Sequence, residues 1–342
     1  MRTVRLGGSG PRVSRVTLGT AQLGGGWGPF DASAACDAMR YAWDIGITTF
    51  DTAQAYGESE GLLGKALRQP LRAQRERVVI SAKGAIAPGT DRPRRGDAKF
   101  IRDGVYQSLR NLGVDYIDLY QIHWPDHSVP PEQTAETLMS LIDDGLVRYV
   151  GVSNYSGAEL ERLLASIALE AVQVPYHLFN RSIETEILPL TRRHGVGVLA
   201  YSALAGGTLT GRLTADTTFP PDDWRSRSAF FSHDSLKVNV AVLERLRGIA
   251  YSLGISLPQL AISWVLAQPG VHTAIVGSLT KRNINDAAGA ADFYLSEDVA
   301  AMVHSAVADA IPLDVVTPED AADLFRIYSA AGARPNLLLG LC

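Results

Sequence analysis

Eight short apolar runs, most of them followed by a stretch of helical period, restrict this chain to very few architectures. They are VTLG at 16–19, TTF at 48–50, VVISA at 78–82, IDLYQI at 117–122, YVGV at 149–152, AVQV at 171–174, VGVLAY at 196–201 and TAIV at 273–276. The second belongs to IGITTF at 45–50, whose β-branched residues read as a buried strand ending at Asp51. Amphipathic stretches of helical period lie between most of the runs, at 33–43, 100–112, 131–142, 157–165, 183–194 and 258–266. Strand and helix in alternation imply a parallel sheet, and eight such strands close as a (β/α)8 TIM barrel of the α/β class. A length of 342 residues suits one such unit, because α/β barrels outrun the usual domain length. No Gly/Ser/Pro linker divides the chain, so 1–342 is expected to be one domain, with the barrel over about 4–310 and a C-terminal extension over 313–342. Residues 4–15 carry a Gly-Gly-Ser-Gly-Pro turn between short alternating arms and predict an N-terminal β-hairpin that plugs the barrel floor. In the extension, PEDAADLFRIYSAAG predicts a helix with Leu324, Ile327 and Tyr328 on one face, expected to act as a lid or a subunit contact.

Charge and cysteine content narrow the partner. A formal net charge of −4, with 20% charged residues, makes no electrostatic case for nucleic acid or an anionic membrane, so a small molecule is the expected ligand. Cys36 and Cys342 are too few and too far apart for a disulfide framework or a thiolate zinc site, and they favour a reducing compartment. MRTVRLGGSG has no apolar signal core, and no run approaches the roughly 20 apolar residues of a membrane span. A soluble, cytoplasmic protein is expected, with self-association left open.

Barrel chemistry sits on the loops after the carboxyl ends of the strands. Asp51 and Tyr56 follow the second run, Lys83 the third and His123 the fourth. Each alone has an ordinary explanation as a cap, a packing group or a solvated charge. Four titratable side chains on three consecutive strand ends instead predict a catalytic cluster.

The stretches DTAQAYG, SAKG, QIHWPD and GVSN, in this order, resemble the signatures of the aldo-keto reductase superfamily, over about residues 4–310. FPPDDWRSR at 219–227 and Gly277-Ser278 are similar to its bacterial and potassium-channel-β-like branches. The resemblance implies an NAD(P)H-dependent reductase of aldehydes or ketones in which Tyr56 is the proton donor, surrounded by Lys83, Asp51 and His123. The chemistry supports those roles. A free phenol has a pKa near 10, so it works near neutrality only beside a cation that stabilises its phenolate. Lys83 is that cation, Asp51 keeps it charged, and His123 donates a hydrogen bond to the carbonyl oxygen as charge develops. Side chains supply no hydride, so a nicotinamide must.

By the same resemblance, Gly19, Thr20 and Ala21 flank the nicotinamide, and Ser153, Asn154 and Gln173 bond its carboxamide. Tyr201 stacks on its ring, and Ser202, Leu204, Gly206 and Leu209 belong to the loop that covers the pyrophosphate, where small residues admit close approach. At the adenosine end stand Gly277, Ser278, Lys281 and Asn283, in IVGSLTKRNINDAAGA. Relatives often carry Lys, Arg or Gln, and Asn where this chain has Gly277, Asn283 and Ala287, so the choice lies between NADPH, favoured through Lys281 and Arg282, and NADH. Trp27 and Trp124 are implied as substrate walls, with Phe30, Trp224 and Phe230 beside them, so that Trp27, Tyr56, His123 and Trp124 face the substrate.

Rival motifs fail. GGTLTGRL at 206–213 puts Arg212 where a phosphate-binding loop needs Lys, and Pro29 takes the place of the third glycine of a Rossmann fingerprint. His123 and His127 have helical zinc spacing, but Pro125 intervenes, so no metal is expected. RPRRGDAKF at 92–100 is expected to be a solvated basic loop. Two alternatives remain: a nicotinamide-binding regulatory subunit with slow turnover, or a biosynthetic reductase of a nucleotide-linked keto sugar or an enone. Because the chain starts almost at the hairpin, no channel-inactivation segment is expected, and the free enzyme is the favoured expectation.

Overall fold

The computed structural model describes residues 1–24, 27–88, 90–221 and 223–313. The helix expected over PEDAADLFRIYSAAG, and with it nearly all of the 313–342 extension, lies outside the described residues.

Eight parallel strands close into a barrel: β3 (Val16–Gly19), β4 (Thr49–Asp51), β5 (Val79–Gly84), β6 (Ile117–Ile122), β7 (Val147–Ser153), β8 (Ala171–Pro175), β9 (Gly197–Tyr201) and β10 (Val271–Gly277), with β10 pairing back onto β3. Every run read from the sequence overlaps one of these strands. They are almost continuously buried, as strands covered on both faces must be. The α-helices are α1 (Ala32–Asp44), α2 (Ser59–Ala66), α3 (Arg68–Ala73), α4 (Ala98–Leu112), α5 (Pro131–Asp143), α6 (Gly157–Leu164), α7 (Ile187–His194), α8 (His233–Ser252), α9 (Leu257–Ala267), α10 (Lys281–Ala290) and α11 (Glu297–Ala306). Polar caps start several of them. Asp97 accepts from the Phe100 N–H, and Ser156 with Glu159 forms a reciprocal capping box, as Ser256 does with Gln259.

Alternation along the strands divides the barrel interior into an apolar floor and a polar top. Val79, Leu119, Ala171, Leu199 and Ile275 cluster there with Leu6 and Val13 of the hairpin formed by β1 (Thr3–Arg5) and β2 (Arg12–Ser14), so the hairpin does close the floor. Gly7 is required at its turn. Its φ is +60°, and a Cβ there would stand 2.5 Å from the Gly195 carbonyl oxygen.

Two expectations need correction. Residues 45–48 are not strand: Ile45 caps α1, its N–H bonded to the Tyr41 carbonyl, and only Thr49–Asp51 pairs. The helix expected over 183–194 is broken into a single turn, Ser182–Glu184, and α7, with the first held by the Arg181–Glu184 ion pair. The 20-residue α8 had no clear sequence signal, because VNVAV is rich in β-branched residues. Among the described residues no single helix is long and apolar enough to cross a membrane.

Candidate active site

Parallel register brings the titratable groups to one rim. Asp51 pairs with Ser81, and Lys83 with Gln121. The Lys83 ammonium is wholly buried, with Nζ 2.5 Å from Asp51 Oδ1. Asp51 Oδ2 accepts from Ser81 Oγ at 2.8 Å and from Gln173 Nε2 at 2.7 Å, while Gln121 Nε2 bonds Ser81 Oγ at 2.8 Å. Burial lowers the Lys83 pKa from its ordinary value, and Asp51 pulls it back. An ammonium so deep needs a paired carboxylate that is itself satisfied, and Asp51 with its two extra donors is one.

Tyr56 reaches this pair from a turn stitched to β5. The Thr52 N–H bonds the Ser81 carbonyl, and the Gln54 N–H bonds that of Lys83. Lys83 Nζ lies 5.3 Å from the Tyr56 ring centroid, and the His123 imidazole meets the same ring edge-on at 5.6 Å. His123 is anchored by its N–H to the Gly84 carbonyl. Burial first, and the Lys83 charge second, hold its pKa well below 6.5, so the ring is neutral. Tyr56 packs with Ala53, Ala55, Ile86 and Trp124, which keep water off one side of it.

Above them a cleft of about 660 Å³ runs across the barrel mouth. Near its middle, Asn154, at φ +62°, donates to the His123 carbonyl and accepts from the Tyr201 hydroxyl at 2.8 Å. Ser153 Oγ bonds the Gln173 carbonyl at 2.9 Å. Beyond Tyr201 the backbone turns left-handed at Ser202, Ala205, Gly206 and Gly207. Small residues there open the main chain to an anion, and at Gly206 a Cβ would stand 2.7 Å from Phe231 Cζ. Over this loop lies Arg225, paired with Asp223 at 2.6 Å, bonded to the Gly206 carbonyl and set against the Trp27 and Phe219 rings. At the far end Arg212 bonds Asn283 Oδ1 at 2.9 Å, and a side pocket of about 400 Å³ adds Arg282 and shares Asp286 with the cleft. Aromatic, amide and phosphate-accepting groups in this order suit a nicotinamide dinucleotide laid along the cleft.

Asp51, Tyr56 and His123 line the cleft, with Lys83 directly beneath through Asp51. Gly19, Ala21, Ser153, Asn154, Gln173, Tyr201, Ser202, Leu204, Gly206, Gly277, Ser278 and Asn283 line it too, as do Trp27, Phe30, Trp124 and Trp224. Others stand apart. Thr20 bonds the Asp51 carbonyl, while Leu209 and Phe230 are buried in the core. Lys281 turns towards α1, with Nζ 5.8 Å from the Tyr41 ring centroid, so its charge is directed away from the cleft. The basic loop is pinned rather than freely solvated: Arg92 pairs with Asp126, Arg95 with Asp97, and Arg94 lies over Trp124. Sequence reasoning missed Arg212, Arg225, His177 and Asn180, all of which line the cleft. Inspection past the end of β8 finds the last two; no spacing rule finds the arginines.

Comparison with known proteins agrees with this geometry. A family model described as Aldo/keto reductase family matches residues 15–308. Aldo-keto reductase YhdN of Bacillus subtilis is 37% identical over 283 residues, 81% of this chain and 85% of its own. An NADH-specific methylglyoxal reductase of Escherichia coli is 31% identical over 318 residues, 87% of this chain and 95% of its own. Among solved structures, a glycerol dehydrogenase from Gluconobacter oxydans superposes with a TM-score of 0.82 at 34% identity, covering 92% of this chain and 98% of its own.

Proposed function

The chain belongs to the aldo/keto reductase family, and from that premise we propose that it reduces an aldehyde or ketone to the alcohol, with Tyr56 as proton donor and NADPH as cofactor. The observation that carries this reading is the buried Asp51–Lys83 pair set against the Tyr56 ring. When bound, a reduced nicotinamide supplies the hydride that no side chain can.

The side chains handle the proton. Tyr56 gives its hydroxyl proton to the carbonyl oxygen, and the Lys83 ammonium stabilises the phenolate left behind. Asp51 keeps that ammonium charged against the pull of burial. His123, held neutral, contributes an N–H to the same oxygen rather than competing as an acid. Asn154, Gln173 and Tyr201 orient the cofactor's reactive ring, and Trp27 and Trp124 wall the substrate.

The cofactor preference rests on charge at the adenosine end. Arg212 and Arg282 there outnumber the single Asp286 carboxylate and favour a 2′-phosphate. Asp286, held by Ser256 at 2.9 Å, suits a bare ribose diol, which makes NADH the second reading. Fluorescence titration with both cofactors, and absorbance assays on a panel of aldehydes, ketones and sugars, test the proposal. Turnover with NADPH bound more tightly, and that advantage reduced in Arg212→Ala, is expected. Tight cofactor binding without turnover on any carbonyl would favour the regulatory-subunit alternative.

A further inference from the structure

Two polar side chains in the cleft wall have no part in the proton-donor group. After β8 the chain makes a narrow turn in which the His177 N–H bonds the Asn180 carbonyl at 3.1 Å and the Asn180 N–H bonds the His177 carbonyl at 2.9 Å. Residues opposed in such an antiparallel bridge project their side chains to the same side, about 5 Å apart at Cβ. Both residues line the cleft, at 1% and 7% exposure. The Leu313 N–H, bonded to the Phe179 carbonyl at 3.0 Å, braces the turn.

Local bonds set which end of each side chain is left for a ligand. His177 Nδ1 accepts from the Phe179 N–H at 3.2 Å, so the ring proton sits on Nε2. Burial drives the pKa of this ring down to about 3, so it is a neutral donor. Asn180 Oδ1 accepts from the Ser182 N–H at 3.2 Å and from Ser182 Oγ at 2.8 Å, which leaves the NH2 group as the remaining end. Among the described residues neither His177 Nε2 nor Asn180 Nδ2 has a hydrogen-bond partner, and neither is among the nitrogens sealed from solvent. Buried donors in a cleft wall, with their orientation already fixed, await an acceptor from the ligand.

We propose that His177 and Asn180 form a subsite for a second oxygen of the substrate, so that the preferred substrate is a carbonyl compound bearing a hydroxyl or a further carbonyl group rather than a plain alkyl aldehyde. This rests on the reductase reading above. Two neutral donors suit a neutral oxygen better than a carboxylate, which would bring a charge that neither of them balances. A site built to bond such an oxygen also rejects the analogue lacking it, because its donors then stay unpaired.

The test compares glyceraldehyde with propanal, in wild type and in Asn180→Asp and Asn180→Leu. Asn180→Asp keeps the acceptor that Ser182 needs but exchanges the donor for a negative charge, while Asn180→Leu removes the donor without adding charge, so agreement between the two separates loss of the donor from charge and from misfolding. Wild type is expected to favour glyceraldehyde by at least about tenfold in kcat/KM. Both variants are expected to lose most of that preference through KM, with propanal kinetics and the NADPH dissociation constant unchanged. Equal losses on the two aldehydes, an altered NADPH affinity, or a wild type that turns over both equally would overturn the subsite while leaving the reductase reading in place. No turnover of either aldehyde, nor of any carbonyl in the wider panel of aldehydes, ketones and sugars, with either nicotinamide would overturn both.

Discussion

Two largely buried ion pairs occupy opposite ends of the barrel, and they are alike in chemistry but not in consequence. At the amino end, Arg75 bonds Asp118 Oδ2 at 2.7 Å, the same oxygen takes the Ile80 N–H at 2.9 Å, and the guanidinium also holds the Val78 and Tyr116 carbonyls. At the carboxyl end, Lys83 bonds Asp51, with Ser81 and Gln173 completing the carboxylate. The first pair spends its bonds tying β5 to β6 and is remote from the cleft. The second has Tyr56 beside it and the cleft above. A buried pair by itself is weak evidence for either stability or function. What distinguishes the two is a titratable neighbour that faces a ligand-sized space.

The sharpest way to break this contrast is to remove the neighbour. Tyr56→Phe is expected to lower kcat by about 10²–10⁴-fold, with fold and cofactor affinity retained, as steady-state assays and fluorescence titration would show. A loss of less than about tenfold would make the two pairs equivalent. Next in size, Arg75→Met leaves Asp118 buried without its cation and is expected to cost about 3 kcal/mol in urea unfolding. The kcat per folded molecule should stay within about twofold of wild type; a large fall would place chemistry at the wrong end.

The strand ends were legible because buried parallel strands read as unbroken apolar runs, and the residue after each run is the one delivered to the rim. Asp51, Lys83 and His123 follow from that rule, and Tyr56 from its place in the adjoining turn. Facing and long-range contact were not legible. Lys281 begins α10, close in sequence to the cleft, yet the helical phase turns it to Tyr41. Arg225 acts through a loop whose path depends on Trp27, almost 200 positions earlier in the chain. The 183–194 stretch keeps a helical pattern across its break, because hydrophobic period does not register a backbone turn set by Arg181 and Glu184.

The smallest effect concerns pH. His123 and His177 are both buried neutral, with pKa values lowered from 6.5 by desolvation. The unfolded chain therefore binds protons below that value while the folded chain does not, so their stabilisation is full above about pH 6.5 and is lost as pH falls. Each contributes at most about 1.4 kcal/mol per pH unit below 6.5. Urea midpoints should drop between about pH 7.5 and 5, and His177→Phe should flatten that slope. A midpoint unchanged over the interval would mean that these rings take up protons in place.

The most direct test of whether the carboxyl-end pair serves Tyr56 is a double-mutant cycle on kcat with Tyr56→Phe, Lys83→Met and the combined variant, each saturated with cofactor. Groups that act as one unit are strongly non-additive, so the double variant should lose little more than Tyr56→Phe alone. Losses that multiply would show Lys83 and Tyr56 acting independently and would contradict the proton-donor assembly.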